Sequence, residues 1–237
     1  MIKTRQRSTA ALKNNASISL IPIRRYHLTR RKLCSSDDEK KSPLRLSNWK
    51  PIIWPSVFKT IRNWFLTFLI KGYLDASYTT STFLDGAEQA VNFVSNCLSE
   101  GQLDDLKDLI DQQALEEAQH YLSLMSAAQK QQVAVNKDDM FLRYIHEIGM
   151  IFDDETGQRF VEITTVFQGM PGFSDLKEKG DPVRFQEQLK NRANELYICN
   201  YRFIREFTKG VDGDWKINRL NHFHPQEVVN VTPPFQR

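Results

Sequence analysis

Phe141-Leu142-Arg143-Tyr144-Ile145-His146-Glu147-Ile148-Gly149-Met150-Ile151-Phe152-Asp153 alternates with a period of two. One face reads Leu142, Tyr144, His146, Ile148, Met150 and Phe152, the spacing of a strand with one covered side. Asp154 to Gly157 supplies a turn, and Arg159–Met170 returns through Val161, Ile163, Thr165 and Phe167. The pair predicts a β-hairpin. Downstream, Leu196–Lys209 reads as a long strand with Tyr197, Cys199, Tyr201, Phe203, Arg205 and Phe207 on one face. Gly210-Val211-Asp212-Gly213 is a hairpin turn leading to a strand over Trp215–His224. Between the two hairpins, Pro171 to Glu195 is hydrophilic, with a short helix predicted near Arg184–Glu195.

Upstream the period becomes helical. A helix opening at Thr82, with Thr82-x-x-Asp85 as a capping-box variant, carries Phe83, Ala87, Ala90, Val91, Val94 and Leu98 as its stripe and stops at Gly101. Leu103 to Ile110 predicts a second short helix, and Ala114 to Met125 a third. Residues 126–137 are Gln-rich and open to either reading. Helices followed by antiparallel strands mean α+β. Strands this long and this few must curve round the helices to hide their aromatic face, which implies a nuclear-transport-factor-like cone.

Ahead of these elements, Ser56 to about Tyr73 predicts an amphipathic helix, with Val57, Phe58, Ile61, Trp64, Phe65, Phe68 and Leu69 on one face and Lys59, Arg62 and Asn63 on the other. Two readings stay open: a helix packed on the domain, and a helix lying in a membrane interface with Trp at headgroup depth and Lys/Arg on anionic lipid. Trp54, Phe58, Lys59, Arg62 and Trp64 are the candidate membrane or partner contacts. No run reaches the about 18 apolar residues of a spanning helix.

Charge is partitioned along the chain. Residues 1–36 carry nine basic and no acidic side chains, spaced by Ser, Thr and Ala. That composition predicts a mitochondrial transit peptide, with Arg24-Arg25-Tyr26 resembling a matrix-peptidase site, His27 as a mature N-terminus and a second trim before Asp37. Residues 37–72 read as a basic linker and the amphipathic helix, 73–225 as the α+β domain and 226–237 as a polar tail. Residues 73–237 hold 16 basic and 26 acidic side chains, a net of −10. So acidic a body argues against direct nucleic-acid binding.

The chemistry-bearing patterns are sparse. Cys97 and Cys199 read as buried thiols. His222-x-His224 on one strand face is a spacing metals use, yet nothing points to a third ligand. No phosphate loop, nucleophile elbow or paired-carboxylate spacing occurs, so neither cofactor, metal nor catalytic residue is expected. Tyr144 and His146, with Tyr197 and Tyr201 on another strand, are the candidate lining of a cone-shaped partner groove.

Phe83-Leu84-Asp85-Gly86-Ala87-Glu88-Gln89-Ala90, then Leu98-Ser99-Glu100-Gly101-Gln102-Leu103 and Leu106–Ile110, resembles the opening of the inner-membrane-translocase-44-like domain, over roughly residues 52–224. That family includes an import-motor scaffold, anchors of the mitochondrial ribosome, and proteins that interact with the matrix AAA (m-AAA) protease. The length, the Trp-containing basic helix and the Lys209–Trp215 turn are most similar to the last. The resemblance implies a non-enzymatic matrix adaptor, peripheral to the inner membrane, docking on m-AAA protease subunits. It also implies help in sorting or maturing an imported small inner-membrane protein, such as a calcium uniporter subunit. The alternative is a membrane-associated receptor for the mitochondrial ribosome and its nascent chains.

Overall fold

A computed structural model describes residues 44–178, 187 and 190–226. The transit peptide, residues 37–43, the tail beyond 226, and residues 184–186, 188 and 189 of the helix expected near Arg184–Glu195 lie outside them. Four strands form the sheet: β1 (Met140–Phe152), β2 (Arg159–Gly169), β3 (Tyr197–Glu206) and β4 (Lys216–Phe223). They pair antiparallel in the order β1-β2-β3-β4, so both hairpins form as the alternation predicts. With the helices this makes an α+β fold on an open four-stranded sheet.

One face of the sheet carries Phe167, Tyr197, Cys199, Tyr201, Phe203, Ile217 and Leu220 into the main core. Helices α2 (Thr80–Glu100), α3 (Gln112–Ser123) and α4 (Ala127–Val133) bring Val91, Val94, Leu98, Leu115, Ala118, Leu122 and Val133 against it. Each of the valines and leucines, fully removed from water, contributes about 1.5–3 kcal/mol before entropy is set against it. Tyr201 and His222 lie fully buried on this face, hydroxyl oxygen 2.9 Å from Nε2.

Local departures from the sequence pattern have tertiary causes. Helix α2 starts three residues early: Thr79, not Thr82, is the cap, its Oγ1 accepting the Thr82 N–H at 3.1 Å. Asp85, released from capping, pairs instead with Arg143 at 2.6 Å. Gly101 takes φ 78° and ends the helix as expected. The second helix over Leu103–Ile110 does not form. A 3₁₀ turn at Asp104–Leu106 runs on as turn only to Leu109, and the chain then bridges β4 at Ile110, where Ile217 N–H donates to the Leu109 carbonyl and Asp111 N–H to the Ile217 carbonyl, both at 2.8 Å. The outer edge of β4 thus recruits residues whose local preference is helical. The Gln-rich stretch resolves into α4, closed by a reciprocal Ser126/Gln129 capping box.

Strand β1 has a bulge at His146, between the pairs Ile145↔Thr165 and Glu147↔Thr164. An extra residue flips the alternation. Tyr144 therefore lies on the face of Val166, whereas Ile148 and Met150 join Val161 and Ile163 on the opposite one. The single stripe read through Tyr144, His146 and Ile148 is broken at this point.

The segment read as a linker is built into the sheet's second face. Asn200 accepts the Ile52 N–H at 2.7 Å and donates to the Ile52 carbonyl at 2.9 Å. Asn221 accepts the Leu46 N–H and donates to the Trp49 carbonyl, both at 3.1 Å. Both asparagines are fully buried. Tyr144 and Gln168 donate to the Ile53 carbonyl, and Ile52 and Ile53 pack on Val166, Ile198 and Phe223. This strap leads into α1 (Val57–Leu69), which continues as a π-helical turn over Ile70–Leu74 that buries Ile70. Helix α1 lies along the outer edge of β1 at the bulge. There the buried Asn63 accepts the Ile148 N–H at 2.9 Å and donates to the carbonyls of His146 at 3.1 Å and Ile145 at 3.4 Å.

Two measurements check this packing. Burial pushes His222 down to about 3 from an ordinary value near 6.5, so the folded state rejects a proton that the unfolded chain accepts. Stability should be full above pH 6.5 and fall as pH drops towards 3, by up to about 1.4 kcal/mol per pH unit for this one group. Urea unfolding of the His222→Gln variant should show a shallower loss than wild type from pH 6.5 to 5; parallel profiles would contradict the assignment. Asn63→Leu leaves three backbone groups without their partner and should cost about 1–3 kcal/mol. Hydrogen exchange should then accelerate at Ile148 and through residues 57–69, more than elsewhere in the sheet.

Candidate docking surface

Helix α1 is docked by its polar side. Asn63 is 6% exposed, while Phe58 on the opposite face is 86% exposed and Trp64 77%. Val57, Ile61, Phe65 and Phe68 share that outward face, and Trp54 and Tyr73 extend it at either end. The helix packs on the domain, but with its apolar face turned outward. The cause lies in β1: an edge strand with a bulge offers unpaired N–H and C=O groups, and once the helix shields them from water a polar side chain must satisfy them. Turning Asn63 and its neighbours inward forces the aromatic stripe outward. A contiguous apolar face of this kind is rare on an isolated surface and marks a contact site.

Lys59 Nζ lies 2.6 Å and Arg62 Nη2 2.7 Å from the two carboxylate oxygens of Glu147. Arg62 also donates to the Ile148 carbonyl at 3.1 Å. The Lys59 hydrogen bond, ahead of the Arg62 contact, holds the Glu147 carboxyl below its usual range. Lys59 Nζ is also 3.1 Å from His146 Nε2. Burial first, and the Lys59 charge second, push the His146 pKa down. The ion pairs are half-exposed, so their strength is at most about 1 kcal/mol, and their effect is orientation. Lys59 and Arg62 thus face the sheet, while Trp54, Phe58 and Trp64 face out.

The candidate groove residues are not brought together. Tyr144 binds the strap on one face of the sheet, and His146 sits at the bulge beside Lys59. Tyr197 and Tyr201 lie on the other face, Tyr197 directed at the Asn136 carbonyl and Tyr201 sealed against His222. His222 and His224 engage separate partners, Tyr201 and the Leu196 carbonyl. Cys97 and Cys199 are buried, and burial raises both thiol pKa values. Among the described residues no group of three metal-binding side chains converges, and no helix is long and apolar enough to cross a membrane.

The surface has one deeper extension. A groove of about 600 Å³ lies between the end of α1 and the tip of the first hairpin. Leu69, Tyr73, Leu74, Met150 and Phe152 line it, and Asp153, Asp154 and Arg159 stand at its rim. A second cavity, of about 350 Å³, opens between the start of α2 and Phe203 and Trp215. Asp75 stands at its mouth, its pKa lowered first by the Ser77 hydroxyl, with Arg205 at 3.2 Å.

Sequence reasoning located the aromatic stripe but missed Asn63, Glu147, Asn200 and Asn221 as the groups that position it. The signal for Glu147 is its place as the lone acid within the apolar run of β1. Asn200 gave none beyond being an amide inside an aromatic strand.

Comparison with known proteins is consistent at the level of the chain. No family model matches. The m-AAA protease-interacting protein 1, mitochondrial, of Rattus norvegicus is 31% identical over 211 residues, covering 87% of this chain and 69% of the relative. The protein of the same name from Homo sapiens is 32% identical over 212 residues, again 87% of this chain and 69% of the relative. That of Mus musculus is 31% identical over 176 residues, 73% of this chain and 58% of the relative. On identity and coverage together, the chain belongs to the family of the mitochondrial m-AAA protease-interacting protein 1.

Proposed function

We propose that this protein is a non-enzymatic adaptor of the mitochondrial matrix, peripheral to the inner membrane, that docks on the m-AAA protease. In this reading it assists the sorting or maturation of an imported small inner-membrane protein, of the calcium-uniporter-subunit kind. The observation that carries the reading is the outward aromatic face of α1, held in place by Asn63, Lys59 and Arg62. Helix and strap are anchored to the sheet, so the exposed stripe is a preformed ridge of about 20 Å, at 1.5 Å per residue over 13 residues. A preformed ridge loses little conformational entropy on binding, which favours a protein partner. The names of the relatives identify the partner class as the m-AAA protease. The apolar core around Tyr201 and His222 supports an adaptor in preference to an enzyme, because neither group reaches solvent.

Direct lipid contact receives less support. Lys59 and Arg62, the cations an interfacial helix would offer to headgroups, are already paired with Glu147.

Affinity capture of the tagged full-length chain from crosslinked mitochondria should recover m-AAA protease subunits, with crosslinks on residues 54–73. Combined Phe58→Ser, Trp64→Ser and Phe68→Ser substitutions should lower that recovery about tenfold, as loss of aromatic anchors does, with the melting temperature unchanged. Recovery of ribosomal proteins without protease subunits would replace this reading with the ribosome receptor. Alkaline extraction that releases wild type and the triple variant equally would exclude a lipid role for the ridge.

A further inference from the structure

We infer that the groove between the end of α1 and the tip of the β1–β2 hairpin binds a helix of another protein whose apolar stripe ends in lysine or arginine. The inference deepens the adaptor reading by giving the chemistry of a second partner site, which adjoins the end of the ridge at Tyr73.

The floor is apolar: Leu69, Leu74 and Met150, flanked by the exposed Tyr73 and the half-exposed Phe152. Its volume, about 600 Å³, suits side chains from one helical face. The rim at the hairpin tip is acidic. Asp153, Asp154 and Glu155 follow one another there. Asp153 is committed to the turn: Oδ1 accepts the N–H groups of Glu155 and Thr156, and Oδ2 the Thr156 hydroxyl. That bonding points the tip in one direction and leaves the exposed Asp154 and Glu155 carboxylates for an incoming cation. Arg159 opposes them only in part, its guanidinium lying 6.0 Å from the Phe152 ring centroid. Lys71 is exposed on the π-helical turn, and Lys209 follows Thr208, whose hydroxyl accepts the Arg159 N–H.

Charge complementarity chooses the occupant. An anionic bilayer would meet carboxylates at the rim. A second copy would set two acidic hairpin tips against each other. An apolar helix with a cationic end satisfies both the floor and the rim, its charge fixing orientation and speeding encounter.

The test uses the full-length chain and a dye-labelled, end-blocked Ala/Leu/Gln helix with three lysines at one end, against a counterpart carrying three glutamates there. Fluorescence anisotropy should give at least about tenfold tighter binding of the lysine peptide. Phe152→Ser with Tyr73→Ser should weaken it about tenfold, and Asp154→Lys with Glu155→Lys should reverse the preference for the two peptides. Equal binding of both peptides, or binding that ignores these substitutions, overturns the proposal. So does groove-dependent binding of phosphatidylcholine–cardiolipin vesicles in place of the peptide, or self-association that Phe152→Ser abolishes. Protease recovery from mitochondria should persist in the Asp154→Lys, Glu155→Lys variant, so the groove and the ridge fail independently.

Discussion

The unpaired edge of β1 governs this structure. A bulge at His146 interrupts the ladder and leaves backbone groups facing outward, where water or polar side chains must satisfy them. Asn63 presents one acceptor and two donor hydrogens in a single plane, and it engages both sides of the bulge at once. Everything about α1 follows from that contact. The helix lies polar side inward, its cations find Glu147, and its aromatic residues have no direction left except away from the domain. In an ordinary amphipathic helix, hydrophobic burial decides orientation. Here the cost of stranding buried backbone polar groups decides it.

The strap obeys the same logic on the second face of the sheet. Asn200 and Asn221 are sealed from solvent, so each needs partners, and each finds them in peptide groups of residues 46–53. Strap and helix together cover a face and an edge, while Leu109–Asp111 covers part of the opposite edge through Ile217. Side chains that look polar in the sequence therefore act as internal connectors. The acidic exterior belongs to the helices and the hairpin tip.

Much of this was legible in the residues. The alternation through β1 and β2, the aromatic face of β3, the stripe of α2 and its Gly101 stop all depend on local periodicity, which a single chain displays. The helix expected over Leu103–Ile110 failed because a long-range pairing with Ile217 overrode a local preference. The face of Tyr144 was misjudged because one inserted residue inverts a period of two, and His146 looks no different in sequence from a paired residue. Orientation of α1 was the hardest to read: amphipathicity specifies two faces, but which one meets the domain depends on what the neighbouring strand leaves unsatisfied. For the docking surface, its aromatic residues were visible in advance and its supporting amides were not.

The grip of the two asparagines has a consequence for how this segment can change. They hold main-chain atoms at Leu46, Trp49 and Ile52, at regular intervals of three residues, and Asn200 and Asn221 touch no strap side chain in these bonds. Apart from the buried Ser47, the lettering of the intervening positions is therefore loosely constrained, whereas their number is not. One residue gained or lost between Leu46 and Ile52 would put every amide out of step with its clamp. The segment behaves as a ruler, setting by contour length where α1 begins.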